Sequence, residues 1–211
     1  MGGDMVFDTN GNLILAVGDN TDPFESSGYS PIDERSGRQD FDAQRTSGNT
    51  NDLRGKIVRI HPEPDGTYTI PSGNLFAPGT ALTRPEIYAM GFRNPFRIGL
   101  DPKNNHIIVG DYGPDAGSDS ATRGSRGGVE WNVLSQPGNY GWPYCQGKIG
   151  PNNNGCYMDF DFQNNTTGAA FNPNALVNNS PNNTGLTNLP PVIQPTISYP
   201  NSNNTTASIG A

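Results

Sequence analysis

The stretch FDTNGNLILAVGDN (residues 7–20) returns in outline as LDPKNNHIIVGDYG (residues 100–113). Each copy has an apolar residue followed by Asp, a short polar turn, an apolar run of strand length, then Gly-Asp. The copies start 93 residues apart, about twice the ~40–50-residue blade period of β-propellers. Between them, RGKIVRIHPEPDGTYTIP (residues 54–71) has the form strand, Pro/Asp-Gly turn, strand. No stretch sustains a 3.6-residue apolar period over a dozen positions, so helix is confined to short turns, expected within Ser30–Leu53 and after Gly127. The prediction is an all-β protein. Short strands with frequent turn signals suit a sandwich or a propeller, and the repeat favours the propeller. A chain of 211 residues supplies about three or four blades. Such an arc leaves sheet faces exposed unless another copy or a partner chain covers them.

Composition agrees with a turn-rich fold. Only 32% of the residues are hydrophobic, and 27 Gly and 19 Pro punctuate the apolar runs. Residues 1–150 have the pattern of packed blades; residues 151–211, rich in Asn, Thr, Pro and Gly, form a loop-dominated continuation of the same domain. The net charge of −7 argues against a nucleic-acid groove or an anionic membrane surface. No apolar run is long enough to span a bilayer. Cys145 and Cys156, eleven positions apart, pair as a disulfide or remain two thiols; they cannot make a four-ligand zinc site with the remote His61 and His106. A disulfide would imply an oxidising compartment. The opening GGDMVFD reads as the middle of a β-unit, so the chain is expected to be a piece of a longer protein with any export signal upstream.

Three motifs carry chemistry. In YAMGFRNPFRIGLDP (residues 88–102), Gly91 permits a tight bend and Pro95 forces Asn94 out of the α region, so Arg93 and Asn94 project from a stiff corner. The simpler reading is that Arg93 pairs with an acid and Asn94 caps a turn. In VGDYGPDAGSDS (residues 109–120), acids and small residues surround Gly113-Pro114, a pair that can turn successive main-chain carbonyls toward a hard cation. A solvated acidic loop is the alternative. In GGVEWNVLSQPGNYGWPYCQGK (residues 127–148), Glu130 is a candidate cation ligand or a strand-edge acid, and Tyr140 and Trp142 read as packing aromatics. Asp8, Asp19 and Asp101 belong to the repeated hairpin, where Asp ordinarily makes turn hydrogen bonds. The Asn-X-Ser/Thr sequons, among them Asn164, Asn165, Asn182, Asn203 and Asn204, arise easily by chance in so Asn-rich a tail.

In order and spacing, IYAMGFRNPFRIGLDP, GDYGPDAG and VEWNVLSQPGNYGWP resemble the soluble glucose/sorbosone dehydrogenases that use pyrroloquinoline quinone (PQQ), and GGDMVFDTNGNLILAVGDN fits the same family. The resemblance is close from Gly2 to about Pro143 and loose beyond it. It implies a six-bladed propeller, periplasmic or secreted, with PQQ beside Ca²⁺ at the central channel, oxidising the anomeric hydroxyl of aldoses and passing electrons to an external acceptor. Arg93 and Asn94 match the family's cofactor-contacting pair. Gly113 and Pro114 match the pair whose carbonyls hold the cofactor's calcium. Glu130 and Tyr140 match positions around a further structural calcium, and Asp19 matches the acid that orients a catalytic histidine.

Two departures qualify the match. The histidine base falls immediately before Met1, and neither His61 nor His106 replaces it. Phe96 stands where the family usually has glutamine. The chain alone is therefore expected to be inactive. Two other functions compete with the dehydrogenase: a non-catalytic propeller module binding calcium or carbohydrate, and a calcium-dependent lactonase-type hydrolase.

Overall fold

The computed structural model describes residues 3–201. Its regular structure is almost wholly β. Strands β1 (Met5–Phe7), β2 (Leu13–Val17), β3 (Lys56–Pro62) and β5 (Ile87–Met90) form an antiparallel sheet; β4 (Tyr68–Thr69) pairs with the end of β3, and β9 (Gly138–Asn139) runs parallel to β5. A second sheet has the order β12-β8-β7-β6, from β6 (Pro95–Asp101), β7 (His106–Tyr112), β8 (Gly128–Leu134) and β12 (Ile197–Pro200). Strands β10 (Met158–Asp161) and β11 (Thr166–Ala170) make a separate hairpin. The three or four blades expected from length resolve into two full sheets and this hairpin, because residues 18–55 and 140–196 are spent largely on ordered loops. The expected helical turns in Ser30–Leu53 are 3₁₀ turns at Gln39–Phe41 and Ala43–Arg45; after Gly127 the chain first enters β8, and a further 3₁₀ turn follows at Pro151–Asn153. Among the described residues, no helix is long and apolar enough to cross a membrane.

Both copies of the repeat fold as hairpins, β1–β2 in the first sheet and β6–β7 in the second. Asp8 accepts from the Asn10 and Asn12 amides, and Asp101 from the Lys103 amide and Asn104 Nδ2, so both are turn residues. Alternation along β2 puts Ile14 and Ala16 inward. With Ile57, Ala89 and Phe92 they pack against Ile107, Val109 and Leu134 of the second sheet. The two sheets thus stack face to face, as adjacent blades do. Strand β5 is buried on both sides because Ile87 and Met90 turn the other way, into a second cluster with Tyr144, Leu176 and Leu189. The Cys145–Cys156 disulfide, with an S–S distance of 2.02 Å, lies in that cluster.

The Asn-rich tail is tied to the blades by side-chain amides. Asn178 Nδ2 donates to the Gln44 and Gly48 carbonyls, Ser180 Oγ and Asn182 Nδ2 donate to Asp42, and β12 adds an edge to the second sheet.

Candidate functional site

The link from β5 to β6, residues 91–94, is a heavily braced corner. Gly91 takes a φ of +83°, a value that favours glycine. After it, all six backbone groups of Phe92, Arg93 and Asn94 are hydrogen-bonded. Phe92 donates to the Gly55 carbonyl (3.2 Å) and accepts from Ser47 Oγ (2.6 Å). The Arg93 carbonyl accepts from the Asp19 amide at 2.8 Å. The Arg93 and Asn94 amides donate to the two carboxylate oxygens of Asp111, at 3.1 and 2.7 Å, and the Asn94 carbonyl accepts from the Tyr112 amide at 3.1 Å. Phe92 is buried and stacks on Tyr140 at 5.2 Å. Residues with so many non-local restraints cannot reorient singly, so the half-buried Arg93 and Asn94 side chains leave from a fixed base.

The two Gly-Asp pairs of the repeat meet here: Asp19 holds the corner from one sheet by its amide, Asp111 from the other by its carboxylate. Asp111 is the site residue that motif reading passed over, although it occupies in the second copy the place Asp19 has in the first.

Gly55 shows how tight the brace is. Its φ is +66°, and a Cβ there would overlap the Ser47 hydroxyl and lie 2.7 Å from the Phe92 carbonyl oxygen. Gly55→Ala is expected to destabilise the chain by about 2 kcal/mol or more; a urea midpoint equal to wild type would contradict this packing.

The guanidinium of Arg93 turns along β7, and its Nη1 donates to the Tyr112 carbonyl at 3.3 Å, one residue before Gly113-Pro114. The two motifs therefore share one corner. Gly113 and Pro114 are buried against Gly127 and Gly128: the Gly113 amide donates to the Gly128 carbonyl (2.8 Å), and the Pro114 carbonyl accepts from Asn201 Nδ2 (2.9 Å). That bond uses one of the two lone pairs on the Pro114 oxygen.

Glu130 is the cross-strand partner of Asp111, which puts both carboxylates on one face of the second sheet. Both are buried. Burial pushes Asp111 up to about 8, with the Glu130 charge adding to the rise, and pushes Glu130 up to about 7. Glu130 accepts from the Gly147 amide and from Asn132 Nδ2, while Asn132 Oδ1 is buried without a partner. Two buried carboxylates beside an orphaned amide oxygen are a donor set that suits a hard cation. Among the described residues no group of three or more His, Cys, Asp or Glu gathers as a metal cluster, so such a site would draw on amide and main-chain oxygens. The Tyr140 phenol does not reach Glu130: its hydroxyl donates to the Gln136 carbonyl at 3.5 Å, and its ring belongs to the inter-sheet core.

The Asp19 carboxylate accepts from Trp142 Nε1 (2.9 Å) and from the Thr21 amide (3.2 Å), and burial raises it to about 6 against those two bonds. Trp142 is thus a hydrogen-bond donor as well as a packing residue, with its ring edge-on to Tyr157. Neither histidine is at the corner: His61 Nδ1 lies 3.0 Å from Asn12 Oδ1, and His106 begins β7 opposite Asp101.

The stacked sheets and the polar corner between them define a β-propeller protein with its candidate site at a junction of blades. Residues 1–185 match the family profile "Glucose / Sorbosone dehydrogenase", and the chain belongs to that family. Aldose sugar dehydrogenase YliI of Escherichia coli (strain K12) is 31% identical over 142 residues, which is 67% of this chain and 28% of that protein. The HIPL2 protein of Arabidopsis thaliana is 28% identical over 159 residues, 69% of this chain and 19% of that one. Among solved structures, the soluble aldose sugar dehydrogenase of Escherichia coli in the apo-form aligns with a TM-score of 0.51 over 95% of this chain and 40% of that chain, at 22% identity. A glucose dehydrogenase crystal structure aligns with a TM-score of 0.50 over the same shares, at 23% identity. At such identity the structural likeness bears on the fold alone. The chain spans under half the length of these relatives.

Proposed function

We propose that this chain carries the cofactor corner of a PQQ- and calcium-dependent aldose dehydrogenase, working in a periplasmic or extracellular space. The observation that carries the reading is the braced corner, which sets the Arg93 guanidinium one residue before the Gly113-Pro114 turn. When bound, PQQ supplies an ortho-quinone that accepts hydride from the anomeric carbon of an aldose and later passes electrons to an external acceptor. The chain's own part is to bind and orient. The fork of Arg93 suits a carboxylate or a quinone oxygen, and because its backbone is locked at both peptide groups it needs no reorganisation as negative charge grows there. Asn94 adds a neutral donor. The remaining lone pair of Pro114, with the Gly113 carbonyl, would hold the cofactor's Ca²⁺, and Glu130 with Asn132 a further calcium, to which the family resemblance also assigns Tyr140. Asp19 would orient a proton-accepting base in the intact protein; among the described residues its carboxylate accepts from Trp142 and Thr21. The disulfide supports an oxidising compartment.

Binding and turnover can be tested apart: the isolated chain is expected to take up PQQ with Ca²⁺, whether or not it also oxidises an aldose. A titration of PQQ absorbance with and without Ca²⁺, followed by addition of an aldose and an artificial acceptor, tests both halves. Arg93→Ala is expected to weaken uptake about 10- to 100-fold, the loss of a charge-assisted hydrogen bond. Uptake that is indifferent to Arg93 and to calcium would instead favour the non-catalytic binding module, with the Asp19–Trp142 bond a purely structural one.

A further inference from the structure

Lys56 begins β3 in the sequence LRGKIV and has no exposed surface. Its Nζ donates to three main-chain carbonyls, those of Thr46 (2.8 Å), Ser47 (3.0 Å) and Arg54 (2.8 Å). An ammonium has three N–H donors and no acceptor, so the head group is fully used. No carboxylate pairs with it directly. The charged groups facing it are Asp52 and Arg54 from its own loop, which bind each other, and Asp19 from the end of β2. The Thr46 carbonyl also accepts from the Asn49 amide at 3.0 Å, while those of Ser47 and Arg54 rely on the ammonium among the described residues, and buried carbonyls need some donor.

What makes this arrangement more than loop packing is where its ends lead. Ser47, whose carbonyl Lys56 holds, donates its hydroxyl to the Phe92 carbonyl; Gly55, next to Lys56, accepts from the Phe92 amide and donates to the Gly18 carbonyl. Thr46 Oγ1 lies 3.3 Å from Thr21 Oγ1, and the Thr21 amide donates to Asp19. One ammonium thus stands a single residue away from both restraints on Phe92, and two residues, Thr46 and Thr21, link it to the carboxylate of Asp19.

We propose that Lys56 is a positioning residue for the Arg93–Asn94 corner: its three-carbonyl tripod fixes the loop 46–55, and the Ser47 hydroxyl and Gly55 carbonyl transmit that fixed geometry to Phe92 and so to the direction in which Arg93 leaves the backbone. What the corner then binds rests on the function proposed above; the tripod itself does not.

The test uses local hydrogen exchange of the 92–94 amides, with the Ile98–Leu100 amides as an internal control, next to urea denaturation and PQQ titration with Ca²⁺. Ser47→Ala cuts the relay and leaves the tripod in place. It is expected to speed exchange at 92–94 about tenfold, the effect of one lost hydrogen bond, with the control amides unchanged and PQQ uptake weakened by a similar factor. Lys56→Met should do the same more strongly, and Lys56→Arg, which keeps the charge but not the three-donor geometry, should restore part of the protection. Unchanged exchange at 92–94 in Ser47→Ala overturns the proposal even if Lys56→Met fails to fold. So does faster exchange that appears equally in the control amides, which would make Lys56 a general core residue. If the wild-type chain takes up no PQQ while the exchange pattern is as expected, the clamp stands and the quinone assignment falls.

Discussion

Asp111→Ala is expected to lower the unfolding free energy by about 2–4 kcal/mol, because it takes from the half-buried Arg93 and Asn94 amides the carboxylate to which both donate. Removal of the carboxylate also ends its repulsion with Glu130, so the net loss falls short of the sum for two unsatisfied donors. Asp111→Asn keeps one acceptor oxygen and sheds the charge, and should recover roughly half of the loss. Urea denaturation of the three proteins under chelating conditions gives the numbers. A change below about 0.5 kcal/mol in the alanine variant, the range of an ordinary surface substitution, would mean that the corner is held by its other bonds.

Raising the pH from 5 to 8 in the presence of a chelator is expected to destabilise the chain. Asp111 and Glu130 have folded-state values near 8 and 7, above the ordinary 3.8 and 4.5. Between the two sets of values the folded chain binds more protons than the unfolded one, so the stability these groups contribute is complete below about pH 4 and is lost as pH rises through 7 to 8. Lys56 works in the opposite sense. Burial holds it near 7 against an ordinary 10.5, so the unfolded chain binds the extra proton between those values and stability rises with pH there. The combined profile has a minimum near pH 7–8. Calcium should fill that minimum, since it stabilises the ionised carboxylates and has little to act on at pH 5. Thermal midpoints at pH 5, 7.5 and 9.5, each with and without Ca²⁺, would expose a wrong sign: stability climbing steadily from pH 5 to 8 under chelation is incompatible with two buried, unpaired acids.

The hairpins were legible in the sequence because their signals are local: an Asp, a turn, and an alternating run within fifteen residues. The Arg93–Asn94 corner was legible for the same reason, since Gly91 and Pro95 constrain it from either side. What escaped were roles assigned by distant partners. Asp111 looked like one acid among several in an acidic loop, and only the β6–β7 pairing brings it under the corner. Lys56, between Gly55 and an apolar run, reads as a solvated strand-end charge; its burial depends on a loop folding over it. Trp142 gave no sign that its indole N–H would reach a residue 123 positions away. Tyr140, by contrast, was legible as a packing aromatic, and its ring lies in the core between the sheets.

The tail has a practical consequence. By composition, residues 172–192 resemble a linker that proteases would trim first, with few apolar groups and many asparagines. Yet Leu176 and Leu189 are nine-tenths buried or more, and Asn178 is inserted among the carbonyls at Gln44 and Gly48. Trypsin finds no lysine or arginine there to cut, and a broad-specificity enzyme would meet a segment anchored like a strap across the back of the first sheet. Shortening the gene at residue 171 to obtain a tidier domain would therefore uncover the loop on which Lys56 closes, and recombinant work on this family segment should keep the asparagines.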